Sequence, residues 1–337
     1  MMKKAILAAI LFAYLISPNH RYQRYTASFW GAFDTMFTIT ADAVSKQQFD
    51  CAVNAAASSF AELGVYYDRF SLDENTANFA YINENAYHEP IAADEQIIEL
   101  LEYGINGYYR TDGLVDPVLG AVTELWRKRI VSPALKKPPS ESELRAAGRH
   151  CGVENLVVGA DSVKLLSPGA MIDAGAFAKG YATEMVGRKL AGMGLSRVAI
   201  SSGGNIRAFY PISGRSEWKI SVQDPDAAIL GDSEPIAVIK GANIAVATSG
   251  DYQRYFFYQG ERYHHLIDPK TLYPAEYHRS VTVACDNAAD ADLFSTALFV
   301  TDLDSGMELA EREGIAALWI EKNGEVIYNP QMEKLIK

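Results

Sequence analysis

One stretch constrains this chain more than any other: Met171-Ile-Asp-Ala-Gly-Ala-Phe-Ala-Lys-Gly-Tyr181. Its apolar start predicts the end of a strand, after which Asp173 and Lys179 enclose a run of small residues. From Tyr181 to Gly194 an apolar stripe predicts a helix, formed by Ala182, Met185, Val186 and Leu190. Small residues at a strand-to-helix turn let a ligand approach the backbone, and the helix N-terminus favours an anion. A tight structural turn with a solvated lysine would use the same residues, so both interpretations stay open.

The composition limits the class of protein. The chain has 337 residues, enough for one large domain or two smaller ones with an ample core. Its apolar content of 49% and charged content of 22% are ordinary for a soluble globular protein. The formal net charge is −11 and no basic cluster offsets it, which argues against binding to nucleic acid.

The N-terminus has the pattern of a targeting segment. Lys3-Lys4 precede an apolar run from Ala5 to Ile16, and polar Ser17-Pro-Asn-His20 follows. The run is too short for a comfortable transmembrane helix, and an ordinary buried helix is the alternative. We expect residues 1–20 to be a signal peptide or membrane anchor, and residues 28–337 to form the functional domain outside the cytoplasm.

The three cysteines carry no recognisable site. Cys51, Cys151 and Cys285 are odd in number and widely separated in the chain. Such a distribution predicts neither a disulfide framework nor a zinc centre.

The remaining segments predict an α+β protein. Strands are predicted at 33–40, 197–201, 218–222 and 236–239, and hairpins at 156–166 and 315–328, the second around Asn323-Gly324. Helices are predicted at 45–63, 94–103, 116–126 and 290–303, with a further one after the capping box Ser140-x-x-Glu143. Because strands and helices mix without strict βαβ alternation, α+β is the better class.

Two glycine-containing segments fit ligand binding. Ser201-Ser-Gly-Gly-Asn205 ends a predicted strand in a Gly pair, which permits a sharp turn and close approach of a ligand. Ala247-Thr-Ser-Gly-Asp-Tyr252 could form an anion-binding nest from consecutive N–H groups around Gly250. A plain β-turn and a simple loop are the respective alternatives.

A histidine pair stands in His264-His-Leu-Ile-Asp-Pro269. It could bind a metal or serve as an acid or base, or it could be a strand with one histidine buried and one exposed. A metal site would need more ligands than this segment supplies.

An acidic and hydroxylic segment follows at Asp290-Ala-Asp-Leu-Phe-Ser-Thr296. In a helix, Asp292, Ser295 and Thr296 share one face because they are three and four residues apart. A carboxylate with hydroxyls suits Mg²⁺ and not zinc. Helix capping by Asp and Ser is the alternative.

Read in order, these segments resemble one family. Asp116-Pro, Asp173…Lys179-Gly-Tyr, Ser202-Gly-Gly-Asn, Thr248-Ser-Gly-Asp-Tyr, His265-Leu-Ile-Asp-Pro-Lys-Thr and Ala291-Asp…Ser-Thr-Ala together resemble the FAD:protein FMN transferases, or ApbE family. The resemblance runs from about Phe33 to about Ile320. It implies a single α+β domain with a flavin cleft, exported and often tethered to a membrane. It also implies Mg²⁺-dependent cleavage of FAD, transfer of FMN to a Thr or Ser hydroxyl of an acceptor flavoprotein, and release of AMP.

The resemblance assigns roles to individual residues. Flavin or adenine contacts are implied for Phe33, Asp73, Leu114, Val115, Asp116, Asp173, Lys179 and Ile267. A Mg²⁺ site is implied for the carbonyl of Ala176 with Asp292, Ser295 and Thr296. Thr248 and Ser249 are candidates for holding a phosphate oxygen. His265, expected to have a pKa near neutrality, is the candidate base, with Asp268 as its partner.

The chain departs from the family pattern at four places. Ser295 stands where the family usually has Asp, Leu272 stands where it has Gly, and Asp73 often corresponds to an aromatic residue. The lipid-attachment cysteine is missing. Hydrolysis of FAD to FMN and AMP, and non-enzymatic storage or sensing of FAD, are the alternative functions.

Overall fold

A central antiparallel sheet organises the protein. The computed structural model describes residues 22–132, 134–135, 137–209, 217–226 and 234–336. Its strands are β1 Gln23–Gly31, β2 Thr35–Ala43, β3 Ile91–Ala92, β4 Leu156–Val158, β5 Ser162–Leu165, β6 Arg197–Ser202, β7 Asn205–Phe209, β8 Trp218–Val222, β9 Ala237–Gly241, β10 Ile244–Gly250, β11 Tyr255–Tyr258, β12 Glu261–His264, β13 His278–Cys285, β14 Ala316–Glu321 and β15 Val326–Tyr328. Eight of them form one sheet in the order β1-β2-β6-β7-β10-β13-β14-β15, with every neighbouring pair antiparallel.

The helices cover mainly one face of this sheet. They are α1 Lys46–Tyr66, α2 Phe79–Asn85, α3 Glu95–Arg110, α4 Gly120–Val131, α5 Glu141–Gly148, α6 Ala178–Ala191, α7 Ala288–Phe299, α8 Leu303–Glu313 and α9 Pro330–Ile336. The larger core lies between this face and helices that include α1, α3, α6 and α7. A smaller core on the opposite face is closed by the β8–β9 hairpin and α9. Antiparallel strands with helices outside the sheet confirm the α+β class.

Strand β10 links the two cores. Ala245 and Ala247 belong to the larger core, whereas Ile244 and Val246 belong to the smaller one. Because side chains alternate along a strand, Ser249 continues the face toward the larger core and Thr248 continues the opposite face. This alternation fixes which hydroxyl of the Thr-Ser pair can meet α7.

Several local predictions are confirmed. Ser140 and Glu143 form the capping box at the start of α5. The hairpin of β4 and β5 is present, and so is the hairpin of β14 and β15, whose turn places Gly324 at a φ of 85°. The Gly pair joins β6 to β7, with Gly203 at 57° and Gly204 at 101°, backbone angles that glycine adopts without strain.

Three local predictions are wrong. Met171 forms only an isolated bridge with Leu119, so no strand precedes the turn, and the helix starts at Ala178 instead of Tyr181. The strand predicted from Phe33 starts at Thr35, because Phe33 lies in a short 3₁₀ turn. The nest predicted at Thr248–Gly250 is absent, since these residues pair with β13 as part of a strand. For Thr248–Gly250, pairing with a strand distant in the sequence decided the outcome.

The predicted targeting segment at 1–20 lies outside the described residues. No helix within the described ranges is both long and apolar enough to cross a membrane.

Candidate active site at the junction of two helices

Helices α6 and α7 meet at Lys179 and Asp292, two of the residues predicted to belong to the site. The carboxylate of Asp292 accepts a hydrogen bond from the backbone N–H of Gly180 at 2.8 Å. It also accepts from Lys179 Nζ at 3.3 and 3.4 Å. The helices approach this closely because position 180 has no side chain: a Cβ there would clash with the carbonyl oxygen of Ala288 and with Cβ of Asp292. Lys179 therefore pairs with Asp292, whereas Asp173 has other partners.

The hydroxyl face of α7 meets the end of β10. Ser249 Oγ lies 2.9 Å from Ser295 Oγ and 3.3 Å from Thr296 Oγ1. Ser295 Oγ also donates to the carbonyl oxygen of Asp292 at 3.0 Å. The helix predicted here is confirmed, and it places Asp292, Ser295 and Thr296 on one side as expected. Thr248, in contrast, bonds to Thr282 at 2.9 Å on the opposite face of the sheet.

Asp173 holds the turn that leads into α6. Its Oδ1 accepts from the N–H of Gly175 at 2.9 Å, and its Oδ2 accepts from Thr123 Oγ1 at 2.5 Å. Arg69 Nη2 lies 3.4 Å from the same Oδ2. Burial acts to raise the pKa of Asp173, but Arg69 and these hydrogen bonds outweigh it and hold that pKa below its usual range. The carboxylate is therefore ionised and fixed in place.

His265 follows β12 and has an environment that the sequence did not predict. Its ring is only partly exposed, and Nδ1 is buried without a hydrogen-bond partner among the described residues. Burial lowers the pKa of His265 to about 3, aided by the nearby charges of Arg254 and Lys179 and opposed by a backbone hydrogen bond with Arg254. The expectation of a near-neutral pKa is therefore wrong, because a desolvated imidazole next to cations favours its neutral form.

The predicted partner of His265 has another task. Asp268 is buried, and its Oδ1 accepts from the N–H of Lys270 at 2.8 Å in the turn after the Asp-Pro pair. The other histidine, His264, is buried in the strand and its Nε2 bonds to the carbonyl oxygen of Ala275 at 2.8 Å. Only His264 therefore lies in the strand, and His265 follows it.

Other predicted ligand contacts lie in the core. The side chains of Leu114, Val115 and Ile267 are buried in apolar clusters, so they have only backbone atoms to offer a polar ligand. Asp116 is buried as well, and its two oxygens accept from the N–H groups of Val118 and Gly152, each at 2.8 Å. Burial raises the pKa of Asp116 although these hydrogen bonds oppose it. Its side chain fastens two backbone segments.

The first two predicted flavin contacts lie on loops. Phe33 has a φ of 61°, and Asp34 follows at 49°, an uncommon conformation for residues with a side chain. Such strain is typical of sites where function fixes the backbone. The ring of Phe33 faces Tyr67, with 6.4 Å between centroids. Asp73 lies farther along and lines an open cavity of about 520 Å³ with Tyr81 and Ile91.

Two further groups were missed from the sequence. Arg69 is 8% exposed, and its Nη1 has no hydrogen-bond partner in the described ranges. Glu184 is buried and accepts from Arg207 Nε at 2.7 Å, from Arg188 Nε at 2.7 Å and from the N–H of Ala288 at 2.9 Å. A buried arginine cannot be told from a surface arginine by its position in the chain, so no local signal identifies Arg69. Glu184, four residues after Gly180 on α6, could have been found from helical spacing.

The donor set fits a hard divalent cation. No cluster of three or more His, Cys, Asp or Glu side chains that could hold a metal occurs in the described ranges. What the structure assembles is one carboxylate, that of Asp292, beside the hydroxyls of Ser249, Ser295 and Thr296. All are oxygen donors, which suits Mg²⁺ and excludes soft-metal chemistry. Ala176, the remaining predicted ligand, lies in the turn just before α6.

Leu272, which stands where the family pattern expects Gly, has a left-handed backbone conformation that glycine adopts readily. Its φ is 65°, in the left-handed region, and its carbonyl oxygen accepts from Trp126 Nε1 at 2.9 Å. The side chain packs in the apolar cluster formed by residues such as Trp126 and Leu144. The packing of this side chain offsets the backbone strain in the turn after Asp268.

Comparison with known proteins places this α+β domain. The model of the ApbE family matches residues 33–319. The FAD:protein FMN transferase of Treponema pallidum is 32% identical over 267 residues, covering 74% of this chain and 72% of its own. That of Haemophilus influenzae is 30% identical over 262 residues, covering 75% and 74%. The crystal structure of the ApbE protein of Thermotoga maritima superimposes with a TM-score of 0.82 at 28% identity, covering 94% of this chain and all of that one.

These matches define the class of protein as a flavin transferase of α+β fold. The chain belongs to the ApbE family, as the order of its motifs indicated.

Proposed function

We propose that the protein is an FAD:protein FMN transferase that uses Mg²⁺ and acts on a Thr or Ser hydroxyl of an acceptor flavoprotein. Family membership and the curated relatives support flavin transfer from FAD. The structural observation that supports this chemistry is the arrangement of side chains where α6 and α7 meet. It brings Lys179, Asp292 and three hydroxyls, from parts of the chain far apart in sequence, to one place.

The reaction replaces the phosphoanhydride bond of FAD with a phosphate ester bond to the acceptor hydroxyl. The acceptor hydroxyl oxygen forms a new bond to the phosphorus on the FMN side, and the bond from that phosphorus to the AMP oxygen breaks. AMP leaves with the electron pair of that bond. When bound at Asp292, Ser295 and Thr296, Mg²⁺ supplies charge neutralisation for the pyrophosphate. Ser249 contacts the hydroxyls of Ser295 and Thr296 and so holds them in place.

Each charged residue has a role in this reaction. Lys179, in the first turn of α6, contacts a phosphate oxygen, and the N-terminus of the helix adds favourable potential. Asp173, ionised and held by Thr123 and Arg69, keeps the turn before Lys179 in shape. His265 takes the proton of the acceptor hydroxyl. In a loose transition state this proton leaves late, so an imidazole of low basicity suffices.

The remaining contacts belong to the flavin and adenine ends of FAD. Phe33 and Asp73 supply side chains on loops, whereas Leu114, Val115, Asp116 and Ile267 contribute through their backbone. Thr248 is a poorer candidate than Ser249, because its side chain lies on the other face of the sheet.

The test is a single incubation with a mass readout. Purified protein is mixed with FAD, Mg²⁺ and an acceptor flavoprotein, and the acceptor is examined for a covalent FMN adduct. An adduct that disappears when the acceptor Thr is replaced by Ala supports transfer. Free FMN and AMP without an adduct would instead identify a hydrolase, and unchanged FAD would identify a binding protein. Asp292→Asn, which keeps the shape of the side chain, is the matched control and is expected to abolish the adduct.

We also propose that the protein works outside the cytoplasm, directed by residues 1–20. Lys3-Lys4 and the apolar run from Ala5 to Ile16 support this proposal. Fractionation of cells is the test. Recovery of the full-length protein from the cytosol alone would overturn it, and release from the membrane on deletion of residues 1–20 would identify an anchor.

A further inference from the structure

The carboxylate proposed to hold the metal already has a cation of its own. Asp292 is buried, with a side chain that is 7% exposed, and a buried carboxylate without a counter-charge is costly. Lys179 Nζ lies 3.3 Å from one of its oxygens and 3.4 Å from the other. The lysine side chain is 27% exposed, so it borders solvent and is less enclosed than its partner.

We propose that Lys179 is an internal counter-ion that competes with Mg²⁺ for Asp292, and that it turns to the FAD pyrophosphate once the divalent cation has taken the carboxylate. This inference rests on the proposed function. An ammonium group and a divalent cation repel one another at these distances, so both cannot keep the same carboxylate at full strength. The displaced lysine needs an anion, and the phosphates of FAD provide one.

The position of Lys179 suits such a change of partner. It lies in the first turn of α6, which starts at Ala178, and its long side chain is partly exposed. The backbone N–H of Gly180 keeps its own hydrogen bond to Asp292 at 2.8 Å, so the carboxylate stays in place when the lysine leaves. Lys179 then links the metal and substrate sites: Mg²⁺ binding frees a cation for FAD, and FAD draws away the competitor of Mg²⁺.

The decisive measurement is Mg²⁺ binding in the absence of FAD. Lys179→Met removes the charge and keeps most of the side-chain volume. If Lys179 competes with the metal, this variant binds Mg²⁺ more tightly than the unmodified protein, by about 5- to 150-fold, the usual span of coupling between sites. If Lys179 only supports the structure around Asp292, the same variant binds Mg²⁺ equally or more weakly, and the proposal is overturned. Isothermal titration calorimetry measures the Mg²⁺ affinity of both proteins and shows whether it rises or falls.

A matched control comes from the same helix. Lys189, also on α6, donates to Ser59 Oγ at 2.8 Å, far along the helix from Asp292. Lys189→Met makes the same change in net charge and is expected to leave Mg²⁺ affinity unchanged. A tightening in both variants would reflect overall charge and would count against competition. Lys179→Arg, which retains the charge, is expected to bind Mg²⁺ as the unmodified protein does.

A second readout uses FAD and no acceptor. Titration by flavin fluorescence, with and without Mg²⁺, measures how far the metal strengthens FAD binding. This strengthening is expected to be smaller in Lys179→Met, because no lysine remains to be released; an equal or larger effect contradicts the proposal. Neither readout depends on transfer. If the binding results are as predicted but no acceptor is flavinylated, only the proposed activity is overturned. If the acceptor is flavinylated but the binding results differ from those predicted, only the role of Lys179 is overturned.

Discussion

At the scale of single residues, His265 combines a motif that sequence reveals with an environment that it does not. Its neutral imidazole is the proposed acceptor of the hydroxyl proton. His265→Ala is expected to slow FMN transfer by about 10²-fold, the lower end of the usual contribution of a general base, because His265 is only weakly basic. FAD affinity should change little. Single-turnover transfer and equilibrium FAD binding measure the two quantities separately, and an equal loss in both would make His265 a binding residue.

The low pKa of His265 also affects stability. The pKa is about 3 in the folded protein, against an ordinary value of 6.5. Between these values the unfolded chain binds a proton that the folded protein does not. The contribution of His265 to the free energy of unfolding is therefore fully present above pH 6.5. It is lost as the pH falls toward the pKa of the folded protein, about 3. His265→Gln, which does not titrate, should reduce the loss of stability on acidification across this window. Urea unfolding at a series of pH values checks this, and parallel curves for both proteins would contradict it.

Ser295 is the residue at which this chain departs from the family's metal site. Ser295→Asp adds a second carboxylate one helical turn from Asp292, and ligand charge tunes the affinity of hard cations. Mg²⁺ should therefore bind more tightly. Without metal the variant should be less stable, because Ser295 is buried and like charges repel. Calorimetric Mg²⁺ titration and thermal unfolding in EDTA give the two results. Ser305→Asp on α8 is a control at an exposed site.

At the scale of elements, the junction of α6 and α7 depends on a buried charge network. Glu184 joins α6 to the start of α7 through the N–H of Ala288 and to β7 through Arg207. Arg207 is itself buried, and its Nη1 donates to Asn243 Oδ1 at 2.8 Å. Both helices carry residues of the candidate site, so this network sets the distance between Lys179 and Asp292.

Glu184→Gln should destabilise the protein by about 3–5 kcal/mol, because it leaves the buried Arg207 without its carboxylate. Arg188→Ala removes the exposed partner of the same carboxylate, whose side chain is 67% exposed, and should change stability by less than about 0.5 kcal/mol. Chemical denaturation gives both values. Similar losses of unfolding free energy in the two variants would show that the pair with buried Arg207 contributes no more to stability than the pair with exposed Arg188.

At the scale of the whole molecule, ligand binding should appear as stability. FAD with Mg²⁺, at a concentration of 100 times its Kd, should stabilise the folded protein by about 2.7 kcal/mol if it binds only that state. Circular dichroism thermal scans with and without FAD measure the effect. Asp292→Ala should lose the part that requires Mg²⁺ while retaining some response to FAD. An identical shift in this variant would place the metal elsewhere.

Predictability also differs with scale. The turn at Ser202-Gly-Gly-Asn205, the capping box at Ser140 and the hydroxyl face of α7 follow from residues a few positions apart, and all three are present. The strand expected at Met171–Ile172 is absent because Met171 makes only an isolated bridge with Leu119. The nest expected at Thr248–Gly250 is absent because these residues pair with β13. Local sequence determines a turn or a helical face, but not whether a short apolar stretch finds a partner.

The sequence by itself determined the class of fold, the family and the residue types of the candidate site, since motif order and helical spacing are properties of the chain. Only the tertiary structure decided which of these residues meet. Lys179 and Asp292 are 113 positions apart, and Ser249 reaches α7 because of the register of β10. It also decided the partner of Asp173 and the low pKa of His265. Electrostatic energy depends on distance and burial in space, and neither quantity exists until the chain has folded.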